Sequence, residues 1–144
     1  MRDGRVLRQV NLRYQPDYDR LRESGLYDAL VAERLLVPHI ELGVEEAAEP
    51  GAYKVLAPEP IELISYPYEW SFSQLRDAAL ATLRVQQLAF ERGMALKDAS
   101  AYNIQFQGSR PVFIDTLSFE EYREGTPWVG YRQFCQHFLA PLAL

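Results

Sequence analysis

The chain is poor in cysteine, lysine and histidine. A lone Cys135 excludes an intramolecular disulfide, and one thiol cannot build a zinc site by itself. Lys54 and Lys97 are the only lysines among 15 basic residues, the rest being arginine. There is no surplus of positive charge: the net charge of −5 argues against a general nucleic-acid binder, which carries a basic face. No apolar run approaches the roughly 20 residues that span a bilayer. The stretch Met1-Arg2-Asp3-Gly4-Arg5 has no apolar segment behind it, so no secretory leader is expected and the reading is cytoplasmic. Internal repeats and low-complexity tracts are absent as well.

What is present suits one folded domain. The 144 residues fall in the single-domain range, and 48% of them are hydrophobic, enough for a core. The final stretch Phe134–Leu144 is strongly apolar. Domain termini usually lie at the surface, so this stretch reads as part of a longer polypeptide. An exposed apolar patch there would also favour a homodimer.

Local patterns predict the elements. Arg5–Leu12 reads as a strand, with Val6, Leu7, Val10 and Leu12 apolar. Tyr14–Ser24 is mixed and charged, and Pro16 suggests a turn. Gly25–Val37 has helical spacing and is closed by Pro38. Ile40–Gly51 carries four glutamates and reads as an exposed loop. Ala52–Ala57 and Ile61–Tyr66 flank Pro58-Glu59-Pro60 and read as a β-hairpin. A long helix is expected over Gln74–Arg92, with Ser73 as N-cap and Gly93 as C-cap. A loop over Lys97–Tyr102, a hairpin Ile104–Phe106/Pro111–Ile114 and an acidic solvated stretch Phe119–Gly125 follow. A last helix is expected from about Gly130 to Leu139.

The chemistry concentrates in Leu96-Lys97-Asp98-Ala99-Ser100-Ala101-Tyr102-Asn103-Ile104-Gln105-Phe106 and in Pro111-Val112-Phe113-Ile114-Asp115. An Asp in a loop, an Asn five residues later, a hairpin, and a second Asp at the end of an apolar strand suit phosphoryl transfer. Asp98 is placed to accept a hydroxyl proton, and Asn103 with Asp115 to hold Mg²⁺ against phosphates. A plainer reading stays open, because Asp and Asn also satisfy backbone groups in loops. The aromatic group Tyr66, Tyr68, Trp70 and Phe72 reads either as flanking an adenine or as packing between elements. His39 and His137 read as packing residues.

The segment Leu75–Phe119 resembles the core of the protein-kinase-like and aminoglycoside-phosphotransferase-like superfamily. Asp98 matches that family's catalytic-loop Asp, Asn103 its metal-binding Asn, and Asp115 the Asp of its second metal motif. The runs Asp98–Phe106 and Pro127–Phe134 are similar to a narrower bacterial group. In that group such a segment precedes a methyltransferase dependent on S-adenosylmethionine. The likeness covers the second half of the chain well and the first half poorly. It implies an α+β fold, with a small antiparallel N-lobe sheet over about residues 1–70 and a partial helical C-lobe over about 71–144. ATP and Mg²⁺ are the implied cofactors, with S-adenosylmethionine belonging to a domain outside this chain. A small molecule or nucleotide is the implied ligand, with no nucleic acid or membrane partner.

The departures are specific. Leu96-Lys97 stands where His-Arg or His-Gly precedes the family's Asp, and Thr116-Leu117-Ser118 follows Asp115 instead of Phe-Gly. No glycine-rich phosphate loop exists. The nucleotide-gripping lysine belongs on a strand before the first helix, yet Lys54, the only early lysine, falls after helix 25–37. Arg8 or Arg13 is better placed, although Arg and Lys grip phosphate differently. Glu33 is the candidate acidic partner of the basic residue, or simply an exposed helix acid. Two functions follow: a degenerate nucleotide- and Mg²⁺-binding or scaffold module, or an active small-molecule phosphotransferase with Asp98 as base.

Overall fold

The computed structural model describes residues 4–144. Met1-Arg2-Asp3, the first residues of the expected N-lobe and of the stretch in which no secretory leader is expected, lie outside the described residues. The architecture is α+β, with small antiparallel sheets and helices around one main apolar cluster.

Strand β1 (Arg8–Asn11) lies beside β3 (Ala52–Pro58), which pairs on its other side with β2 (His39–Leu42). Register sets Arg8 and Glu41 on either side of Leu56, and Val10 opposite Lys54. Directly opposed residues share a face, so Arg8, Leu56 and Glu41 form one row across the sheet.

Four expectations are corrected in this half. The mixed, charged stretch Tyr14–Ser24, with a turn expected near Pro16, is helix α1 (Gln15–Glu23). Pro16 sits in its first turn, where a missing N–H costs nothing because that donor has no helical acceptor. The helix predicted to run to Val37 is α2 (Leu26–Ala32) and stops five residues early. Arg34 adopts φ 57°, and the apolar run Leu35-Leu36-Val37 then leaves the helix and docks on Phe113. The expected 40–51 loop begins with β2. Finally, β3 does not pair with 61–66; it is the central strand, and no strand forms over 61–66. Two prolines around Glu59 remove donors and lead the chain out of the sheet, held by the Glu59 N–H to the Pro38 carbonyl at 2.9 Å.

Helix α3 (Phe72–Phe90) forms as expected but is capped two residues earlier. Ser71, not Ser73, accepts from the Gln74 N–H, and the Gln74 side chain returns to the Ser71 N–H at 2.9 Å. This reciprocal box satisfies two donors that the helix cannot, each such cap contributing about 1 kcal/mol. Ala78, Ala79, Thr82, Val85, Gln86 and Ala89 line the buried face. Small residues there let the helix lie close to β4 (Met94–Leu96) and the hairpin strand β6 (Arg110–Phe113). Gly93, at φ 71°, makes the left-handed step that ends the helix.

Strand β4 lay within no predicted element. It pairs with β7 (Phe119–Glu121), which the acidic composition concealed. Hairpin β5 (Ile104–Gln107)/β6 matches the expectation, turning at Gly108-Ser109 with Ile104 opposite Phe113. The terminal helix runs as α4 (Tyr131–Phe134), a wide turn (Cys135–Leu139) and α5 (Ala140–Ala143). The wide turn lies just before Pro141, whose absent N–H and bulky ring prevent a regular i→i−4 bond. Among the described residues no helix is long and apolar enough to cross a membrane.

Candidate functional site

The loop bearing Asp98 is pinned from two sides. Asp98 Oδ1 accepts the Ser100 N–H at 3.0 Å, a local turn that orders the loop. The terminal helix supplies the other anchors: Gln133 Oε1 accepts the Ala99 N–H at 2.7 Å, and His137 Nδ1 accepts the Ala101 N–H at 3.2 Å. His137 is thus a loop anchor.

Asn103 and Asp115 meet through a residue that was not singled out. Ser118, 1% exposed, donates its hydroxyl to Asp115 Oδ2 at 2.9 Å, and its own Oγ accepts from Asn103 Nδ2 at 3.5 Å. Asn103 Nδ2 is also 3.5 Å from the Asp98 carbonyl. The main chain closes the group, since the Ile114 N–H donates to the Asn103 carbonyl at 2.9 Å. Asp98, Asn103 and Asp115 therefore gather around one end of hairpin β5/β6. The sequence signal for Ser118 was its place three residues after Asp115, the spacing of a turn that returns a hydroxyl to an aspartate.

The hard oxygens here are the Asp115 carboxylate and the Ser118 hydroxyl, while Asn103 turns its Nδ2 to Ser118 and to the Asp98 carbonyl. Mg²⁺ is held by one or two carboxylates plus phosphate and water, so these groups fit it. Among the described residues no group of three or more His, Cys, Asp or Glu is placed to hold a metal. Asp115 is moreover already engaged: Oδ1 accepts from Arg8 Nη2 at 2.5 Å and from the Leu117 N–H at 3.1 Å.

The residues expected to grip nucleotide separate. Lys54, on the central strand, forms an ion pair with Glu41 on β2 at 2.5 Å. Glu33 is not its partner: Glu33 is bound by Arg84 of α3 through two contacts of 2.7 and 2.9 Å. Arg84 holds the Glu33 carboxyl below its ordinary range. Glu41 was hidden in the expected loop, although the spacing of His39 and Glu41 places both on one face of a strand.

From Lys54 a polar chain leads inward. The Tyr18 hydroxyl donates to Glu41 Oε1 at 2.7 Å and lies 3.0 Å from His39 Nε2. Glu41 only accepts, so Tyr18 spends its proton there and takes a hydrogen bond from His39 Nε2–H. That leaves His39 Nδ1 as an acceptor facing the Thr116 hydroxyl at 3.5 Å. Burial, then Glu41, pushes the Tyr18 hydroxyl far above its usual value, so it stays protonated. Burial pushes Glu41 up, but its bonds from Lys54 and Tyr18 outweigh this and hold it below the usual carboxylate range.

His39 is held neutral, its pKa lowered to about 4 by burial, then by Arg22, against the opposing pull of Glu41. The folded state therefore binds fewer protons than the unfolded chain between about pH 4 and pH 6.5. The His39 contribution to stability is fully present above that window and is lost as pH falls through it. Urea unfolding across the window should show the decline, and His39→Gln should flatten it. A variant with an unchanged slope would remove His39 from the account.

The aromatic group packs on itself and on strand β5. Tyr66 stacks on Tyr68 at 5.5 Å, and Trp70 packs edge-on against Phe106 at 5.2 Å. The crevice between sheet and hairpin is lined instead by Arg8, His39, Leu56, Asp115, Thr116 and Leu117, among others.

No family model matches the chain. Nodulation protein NoeA of Rhizobium meliloti (strain 1021) is 53% identical over 91 residues. The match covers 63% of this chain and 19% of that protein, so the chain spans well under two thirds of its relative.

Proposed function

We propose that the chain is a kinase-like module that binds a nucleotide with Mg²⁺ and acts mainly as a scaffold, within a polypeptide that also carries a methyltransferase dependent on S-adenosylmethionine. The observation that carries this reading is the shared contact of Asn103 and Asp115 with Ser118, beside the Asp98 loop. The order of these residues and their gathering at one hairpin end suit a metal–phosphate ligand. Asp115, Asn103 and Ser118 would hold the cation, which neutralises phosphate charge when bound. Arg8 and Lys54 supply positive charge on the facing sheet. The lack of a glycine-rich loop and the tie of Lys54 to Glu41 weigh against efficient transfer, and favour the scaffold role.

Active phosphotransfer to a small molecule is the second reading. Its support is Asp98, which commits only Oδ1 to the loop among the described residues. The other oxygen is then available to accept a hydroxyl proton.

The test is calorimetric titration of the full-length polypeptide with Mg²⁺ and ATP, repeated on Asp115→Ala. Saturable binding that weakens at least tenfold in the variant is expected. Heat absent from both proteins would end the nucleotide reading and leave a ligand-free scaffold. Turnover of ATP that disappears in Asp98→Asn would promote the second reading.

A further inference from the structure

Helix α3 is apolar on its outer side as well as its inner one. Its 19 residues carry only three charges, Arg76, Asp77 and Arg84. The outward row is Phe72, Arg76, Leu80, Leu83, Gln87 and Phe90, all exposed. From Arg76 onward these positions alternate between four and three residues apart, the repeat of a seam between two helices. Phe72 is 64% exposed, Leu80 59%, Leu83 42% and Phe90 41%. The solvent side of a surface helix is ordinarily polar, and a helix apolar all round is a buried one. Scattered apolar residues need no partner, whereas an aligned apolar row marks a contact surface.

The row is complementary to itself. Set antiparallel against a second copy, Leu80 meets the second copy's Leu83, and symmetry supplies the reverse contact. The same placement sets Arg76 opposite Gln87, brings Phe72 to Phe90 at each end, and puts Asp77 across from Arg84. Asp77 and Arg84 flank the row on one side, about two helical turns apart. Each is 40% exposed although already paired, Asp77 with Arg76 and Arg84 with Glu33, so each keeps surface to offer. A parallel pairing would set Asp77 beside Phe72 and Arg84 beside Ala79, and would gain no ion pair. The two-fold contact uses the whole row on both copies, so assembly stops at two.

We propose that the chain forms a symmetric antiparallel dimer through the outer face of α3, its partner being a second copy of itself. The helix gives a seam about 28 Å long. That is a modest interface, so a dissociation constant on the order of 10 µM is expected. The contact lies on α3, not on the apolar terminal stretch Phe134–Leu144. It does not depend on the nucleotide reading above.

Sedimentation equilibrium of the chain over about 1–200 µM should show monomer and dimer in exchange. Leu80→Glu with Leu83→Glu replaces two exposed side chains by a good helix former, so helicity and unfolding midpoint should hold. Dimerisation should nevertheless weaken by roughly tenfold or more. Asp77→Arg should weaken it severalfold by setting like charges across the seam, and adding Arg84→Asp should bring it back. Leu139→Glu, on the terminal helix, should leave it unchanged. A chain that stays monomeric to about 200 µM would overturn the proposal. So would a dimer that tolerates Leu80→Glu with Leu83→Glu, or one that dissociates with Leu139→Glu alone. A dimer indifferent to Asp77→Arg would overturn the antiparallel order.

Discussion

Phe113→Ala is expected to lower the unfolding free energy by about 3–5 kcal/mol, the range for a large aromatic removed from a packed interior. Phe113 has 0% exposure and tilts against Phe119 at 6.1 Å between ring centres. Three segments converge on it. Its N–H donates to the Leu35 carbonyl at 2.8 Å, its carbonyl accepts the Val37 N–H at 2.9 Å, and it stands opposite Ile104 in the hairpin. These main-chain bonds do not need the ring, so the fold should persist around a cavity. Domain stabilities are about 5–15 kcal/mol, so the loss takes a large fraction of the total. Denaturant titration should show a lower midpoint with little change in slope. A shift below about 1 kcal/mol would mean that the Phe113 pocket collapses almost completely, against the tight packing described here.

Tyr18→Phe should cost about 1.5–3 kcal/mol, the range for a hydrogen bond to a charged group. The ring is 1% exposed, and phenylalanine fills the same space, so no cavity term enters. Two bonds disappear together: the donation to Glu41 at 2.7 Å and the acceptance from His39 at 3.0 Å. Glu41 keeps Lys54, but His39 Nε2–H is left facing an apolar edge. A double-mutant cycle with Glu41→Gln would separate the Glu41 share from the His39 share. Equal stability of Tyr18→Phe and the parent would show that water replaces the hydroxyl, and that the chain from Lys54 to Thr116 carries no strength.

The second half of the molecule was far more legible than the first. Helix α3 and hairpin β5/β6 declare themselves through spacing over many residues or through a short glycine turn. Strand β4 did not: Met94-Ala95-Leu96 is too short and too uniformly apolar to show a period. Around Tyr14–Ser24 Pro16 suggests a turn, yet its position opens a helix. The 61–66 segment holds good strand formers, yet β3 has both edges taken by β1 and β2. Propensity there yielded to pairing between distant segments.

The candidate site divides in the same way. Asp98, Asn103 and Asp115 were visible because they sit within one helix–loop–hairpin unit, where local geometry dictates who is near whom. Ser118 belonged to the same unit and was legible in principle from its spacing. Glu41, Tyr18 and Arg8 acquire their roles from strand register and helix docking across long stretches of chain, and no local pattern announces that.

The amino-acid order alone determined the α+β character, the long capped helix, the glycine hairpin and the grouping of three polar residues at its end. These depend on backbone preferences and hydrogen bonds that act over a few residues. Only the tertiary structure decided the charge pairing: Lys54 with Glu41, Glu33 with Arg84, and Arg8 with Asp115. The physical reason is reach. An ion pair forms over a few ångströms, and which charges come that close is settled by how β1, β2, β3 and the hairpin register against one another.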